Sequence, residues 1–155
     1  MTFELCRGYN LRHRQAKANN KPKGSTMKAH IFNTVQAADI KEISITGKRW
    51  FQRSYGNTYH SVSVAAVVSK EVAEKCMGLP HYPAGNGDVW VDLAYVSDVY
   101  GYERHFEHTA LQCLKQATED APKAWDYLHY ICQAAQVLGV EYSEKVYDVS
   151  RKKDL

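Results

Sequence analysis

The chain has 155 residues, 45% hydrophobic and 24% charged, with a net charge of +3. That is one domain with a proper core, and an ordinary globular composition rather than a fibrous or disulfide-rich one. No run of about 18 apolar residues occurs, so no transmembrane helix is expected, and the opening MTFELCRGYNLRHRQ lacks the apolar core and small-residue cleavage site of a secretory signal.

The charge is divided unevenly. Residues 1–26 hold Arg7, Arg12, Arg14, Lys17, Lys21 and Lys23 against Glu4 alone, a net charge of +5. This leaves 14 of the 20 cations against 16 of the 17 anions for the rest, so the folded body is close to neutral. A basic footprint over the whole domain is therefore not expected. Large apolar side chains are nearly absent from residues 10–26, so this basic arm should not order by itself. It reads as a phosphate-attracting arm, a solvated terminus, or an extension upstream of a start at Met27.

Patterned sequence follows. In residues 40–52, IKEISITGKRWFQ, Ile43 and Ile45 alternate with Ser44 and Thr46, which predicts a strand. RSYGN supplies a turn, with Gly56 and Asn57 as the residues that tolerate positive φ. TYHSVSVAAVV predicts a second strand, with Thr58, His60, Val62, Val64, Ala66 and Val68 on one face and Tyr59, Ser61, Ser63, Ala65 and Val67 on the other. Residues 69–88 open with a short helix and then carry Pro80, Pro83, Gly85 and Gly87, a loop. VWVDLAYVSDVY predicts a third strand, with Val89, Val91, Leu93 and Tyr95 on one face.

Two helices are expected next. GYERHFEHTALQCLKQA places Phe106, Ala110, Cys113, Leu114 and Ala117 on one stripe. EDAPKAWDYLHYICQAAQVLG places Trp125, Leu128, Ile131, Cys132, Ala135 and Leu138 on another, with Asp120 as N-cap and Gly139 as the stop. Residues 143–155 read as a polar tail, a short strand or coil. The expected fold is α+β: a three-stranded antiparallel sheet, made of a β-hairpin plus a third strand, followed by two helices packed on one face over residues 27–142. The β-β-β-α order is that of the double-stranded-RNA-binding fold, but the Lys-rich helix start of that fold is replaced here by GYERHFEH. Cys6, Cys76, Cys113 and Cys132 include no C-x-x-C pair and read as reduced thiols of a cytosolic protein.

The hairpin concentrates the residues that can bind. Lys48, Arg49 and Arg53 flank Trp50 and Phe51, and Tyr55, Asn57, Tyr59 and His60 add hydrogen-bonding groups. Cations beside flat rings suit phosphate and base contact. The competing explanation is plain hairpin architecture, since aromatic residues pair across strands and Lys and Arg protect an edge. Tyr95, Tyr100 and Tyr102 near the third strand's end can join Tyr55 and Tyr59 in an aromatic patch, and Arg104 lies at the start of the following helix.

RWFQRSYGNTYHSV, together with VYGYERHFEHTALQCL, resembles a family of small, mostly uncharacterised bacteriophage proteins. Those share an RWF-x-R/K…GNTYHS hairpin and a YGYG-type turn before a helix. The likeness covers Lys48–Val64 and Tyr100–Leu114, and where that family has a second glycine after YGY this chain has Glu103. The resemblance implies a phage-encoded accessory protein in the host cytosol and brings no catalytic residues.

Other chemistry is thinly signalled. His105 and His108 share a helix face and can be combined with His60 or Glu107 as metal ligands, but no H-E-x-x-H is present. Asp88, Asp92 and Asp98 allow a carboxylate cluster for metal-assisted phosphodiester chemistry. No G-x-S-x-G or phosphate-binding glycine loop occurs. The expectation is a non-enzymatic protein, with no cofactor or metal and no membrane partner, that binds nucleic acid or a nucleotide. The alternatives are an inhibitor or modulator of a host enzyme or defence factor, and a nucleotide-processing or nuclease enzyme. A Tyr-rich sheet end also suits a homodimer.

Overall fold

A computed structural model describes residues 27–76 and 81–155, and the basic arm with Arg12, Arg14, Lys17, Lys21 and Lys23 lies outside them. The described chain runs β1 (His30–Ile31), β2 (Glu42–Gln52), β3 (Asn57–Ser69), α1 (Lys70–Ala73), β4 (Tyr82–Gly85), β5 (Asp88–Tyr100), α2 (His105–Gln116), α3 (Ile131–Leu138) and β6 (Glu141–Val149). The fold is α+β. The strands form one mixed sheet in the order β1-β5-β3-β2-β6, with β4 also paired to β5. Among the described strands, β2 and β6 pair in parallel and the other pairings are antiparallel.

The expected three-stranded antiparallel sheet is thus only the centre, β5-β3-β2, of a larger mixed sheet. The three added strands carry weak sequence signals. β1 has two residues, and β4 contains Pro83, which suits only an edge. β6 is a largely exposed edge strand, and the chain expected to be a tail after residue 142 supplies most of it.

The two faces of β3 are as the alternation predicts. Val62, Val64, Ala66 and Val68 are buried on the helix side with Ile43 and Ile45 of β2. Gly47 of β2 lies close under α2, where an added Cβ would stand 3.1 Å from the Phe106 ring, so a larger residue there needs that ring to give way. On β5 the predicted alternation breaks. The register slips between Val64 and Ala65, so Ala94 pairs with Val64 while Tyr95 pairs with Ser63. The bulge moves Tyr95 to the opposite face and brings Ala94 and Val96 into the core.

α2 buries Phe106, Ala110, Leu111, Cys113 and Leu114 against the sheet. The second expected helix is broken. Residues 123–127 form a 3-10 turn, Leu128 is extended, and α3 begins after Tyr130. Two local forces explain the break. Trp125 is fully buried as an anchor for the turn, and burial of so large a ring contributes on the order of 3 kcal/mol. The Gln133 side chain accepts from the backbone of Tyr130, half of a capping box that restarts the helix. Asp120, expected as an N-cap, instead accepts from the backbone N–H of Ala37 at 2.6 Å. Gly139 ends α3 with φ of 69°, as its position predicts.

Candidate functional site

The hairpin end of the sheet gathers most of the residues singled out in the sequence. Gly56 turns the chain with φ of 68°, and the register then sets Trp50 opposite Tyr59 and Tyr59 opposite Tyr100. These three residues share the face away from the helices. Their rings form a row, with Trp50 and Tyr59 5.8 Å apart, Tyr59 and Tyr100 5.7 Å, and Tyr100 and Tyr102 5.3 Å. The Tyr100 hydroxyl donates to that of Tyr102 at 2.7 Å, and Tyr102 donates to Asn57 Oδ1 at 3.4 Å. The interplanar angles of 66° and 77° along the tyrosines are edge-to-face, the favoured packing of rings. Tyr95 lies farther down β5, and Tyr55 stands 78% exposed at the turn.

The cations around this row are not equivalent. Lys48 points to the open face and donates to the carbonyl of Asp154 at 3.2 Å. Arg49 points to the other face and grips Asp148 of β6 through two hydrogen bonds, 2.9 and 3.2 Å long. Both therefore have structural partners that the sequence reading did not supply. Arg53 is exposed in the turn. It lines an open cleft of about 690 Å³ with Arg49, Trp50, Phe51, Glu103 and Asp148. Phe51 is 56% exposed there.

Arg104 lies at the start of α2, away from the ring row. It pairs with the fully buried carboxylate of Glu107, with one hydrogen bond of 2.8 Å, and its guanidinium lies 5.0 Å from the Tyr130 ring. Burial pushes the Glu107 carboxyl above the usual carboxylate range, and the paired carboxylate keeps Arg104 charged. Arg104 is thus tied to the α2–α3 packing rather than to the hairpin.

The histidines do come together. His60 is buried beneath α2, with Nε2 2.8 Å from the Thr109 hydroxyl. His105 lies 5.6 Å from His60 ring to ring, and His108 another 5.6 Å beyond. Burial first, then the neighbouring His105, pushes His60 down to about 4, so it is a neutral core residue at neutral pH. Among the described residues no group of three or more His, Cys, Asp or Glu is arranged to hold a metal ion. The aspartates are dispersed as well. Asp88 pairs with Lys41 at 2.6 Å and Asp98 with Lys152 at 3.0 Å. Cys113 is fully buried, which pushes its thiol up to about 12 and removes it as a nucleophile.

Sequence reasoning missed the contribution of residues 150–155. Lys152 lies 4.9 Å above the Tyr59 ring, at the centre of the row. A parallel strand closing beside the hairpin places it there, and no local pattern announces that pairing. No helix among the described residues is long and apolar enough to cross a membrane. No family model, curated protein or solved structure matches this chain.

Proposed function

We propose that this protein is a phage-encoded, non-enzymatic accessory factor that binds single-stranded nucleic acid or a nucleotide at the hairpin end of its sheet. The observation that carries this reading is the row Trp50–Tyr59–Tyr100–Tyr102 on the face away from the helices, with Lys48 on that same face. An exposed sheet bearing aromatic rings is a recurrent platform for unpaired bases, since every base has a π-face and cations at the rim hold the phosphates. Duplex fits less well, because the body is close to neutral and a duplex presents no free base to stack. The arm of residues 1–26 supplies non-specific attraction in this scheme.

The test is fluorescence anisotropy with a labelled single-stranded oligothymidylate over a range of salt. The reading expects binding that weakens linearly in log salt and that is lost on Trp50→Ala with Tyr59→Ala. No binding at low salt, with or without residues 1–26, removes it.

A protein partner is the second reading, favoured by the hairpin tip. Phe51 and Tyr55 are 56% and 78% exposed beside Arg53, and Tyr, Trp and Arg anchor most protein interfaces. A host enzyme or defence factor held there would co-purify after nuclease treatment and be released by Phe51→Ala with Tyr55→Ala.

A further inference from the structure

The segment after β6 does not run off the sheet edge. It turns back across the open face and meets each of the three long strands. Asp154 accepts from Lys48 of β2 through its carbonyl at 3.2 Å. Lys152 covers the Tyr59 ring of β3 at 4.9 Å and pairs with Asp98 of β5 at 3.0 Å. The Tyr95 hydroxyl of β5 donates to Leu155 O at 3.4 Å. Within the segment, Arg151 is braced to Asp154 by hydrogen bonds of 2.8 and 3.1 Å.

We infer that residues 150–155 form a displaceable strap over the ring row, and that a single strand binds by lifting Lys152 off Tyr59. The inference rests on the nucleic-acid reading above and names how that site is regulated. Three features support it. The Lys152 ammonium occupies a face of the Tyr59 ring, where a base would stack. The contacts that hold it are an ion pair half-exposed on both sides and a cation–π contact, each individually weak and so reversible. The strap also carries Arg151 and Lys153, exposed cations that a phosphate chain can meet once Lys152 has left the Tyr59 ring.

Two single substitutions in the full chain separate a strap from simple electrostatics. Asp98 sits at φ of 59°, a conformation that Asn also adopts readily, so Asp98→Asn removes the latch without a backbone change. Lys152→Gln removes the same latch from the other side. The first adds one unit of positive charge and the second subtracts one. If the strap governs access, both raise affinity for single-stranded oligothymidylate, by about three- to tenfold. Both should also speed trypsin cleavage at Arg151 and Lys153. Opposite effects, tighter for Asp98→Asn and weaker for Lys152→Gln, reduce the pair to surface charge and overturn the strap. Unchanged trypsin rates with binding intact overturn it as well. No binding by any of the three proteins removes the nucleic-acid reading itself and the strap's role with it.

Discussion

Arg49 of β2 and Asp148 of β6 face each other in register across the parallel β2–β6 pairing and join through the guanidinium Nε and Nη2. The pair ties an otherwise polar edge strand to the hairpin. It also takes up one of the cations that, read in sequence, looked available for a ligand. Arg49→Ala should therefore act mainly on stability, costing about 0.5–1 kcal/mol in urea unfolding because both side chains are partly exposed. Arg53, exposed in the turn, should behave in the opposite way. On the proposed function, Arg53→Ala leaves the unfolding midpoint in place and lowers the salt slope of oligonucleotide binding by about one.

Glu103 offers a second test. It holds φ of 48°, a left-handed conformation that side chains with a Cβ resist. Glu103→Gly should stabilise the fold by about 0.5–1 kcal/mol, the relief of backbone strain exceeding the entropy cost of glycine. Gly101, two residues earlier, is constrained from the other side. A Cβ there would lie 2.4 Å from the His105 ring, so Gly101→Ala should cost about 1–3 kcal/mol by forcing that ring to move. Paired unfolding curves measure both, and the signs should be opposite.

His60 makes the fold acid-sensitive over a defined window. Its folded-state value is pushed down to about 4 from an ordinary 6.5, so the unfolded chain binds the proton more readily. Stability from His60 is complete above pH 6.5 and is lost as pH falls toward 4, by something on the order of 3 kcal/mol. His60→Gln, which can keep a hydrogen bond to Thr109, should flatten the pH dependence of the urea midpoint across that window. A midpoint in the unsubstituted protein that stays level from pH 7 to 4 contradicts the burial argument.

On the proposed function the ring row predicts a graded loss. Tyr59→Ala removes the central ring and should weaken oligothymidylate binding by about tenfold, the worth of one base–aromatic stack. Tyr102→Phe keeps the ring and loses only the hydroxyl contacts with Tyr100 and Asn57, so its affinity should stay within about twofold of the unsubstituted protein. Equal effects from the two would point away from stacking.

Elements whose signals were local could be read in the sequence. The β2–β3 hairpin, its Gly56 turn, the two faces of β3 and the stripe of α2 follow from alternation, turn chemistry and helical spacing. The meeting of Tyr59, Tyr100 and Tyr102 was also foreseeable, because both strands end on the hairpin side. What was hidden depended on distant pairing or on competition between neighbours. The β5 bulge at the Val64–Ala65 slip changes the phase of Tyr95 without altering composition. Buried Trp125 and the restart at Tyr130 override a helical stripe that reads as continuous. The Arg49–Asp148 pair and the Lys152–Tyr59 contact join residues about a hundred apart in the chain, through a parallel edge strand that has no periodicity strong enough to announce it.

The most direct test of the proposed ligand is chemical-shift mapping of isotope-labelled protein titrated with single-stranded oligothymidylate. The account predicts that the largest perturbations fall on Trp50, Tyr59, Tyr100, Tyr102 and residues 150–155, with α3 unmoved. Perturbations absent at low salt, or gathered around Tyr127 and α3 instead, would contradict it.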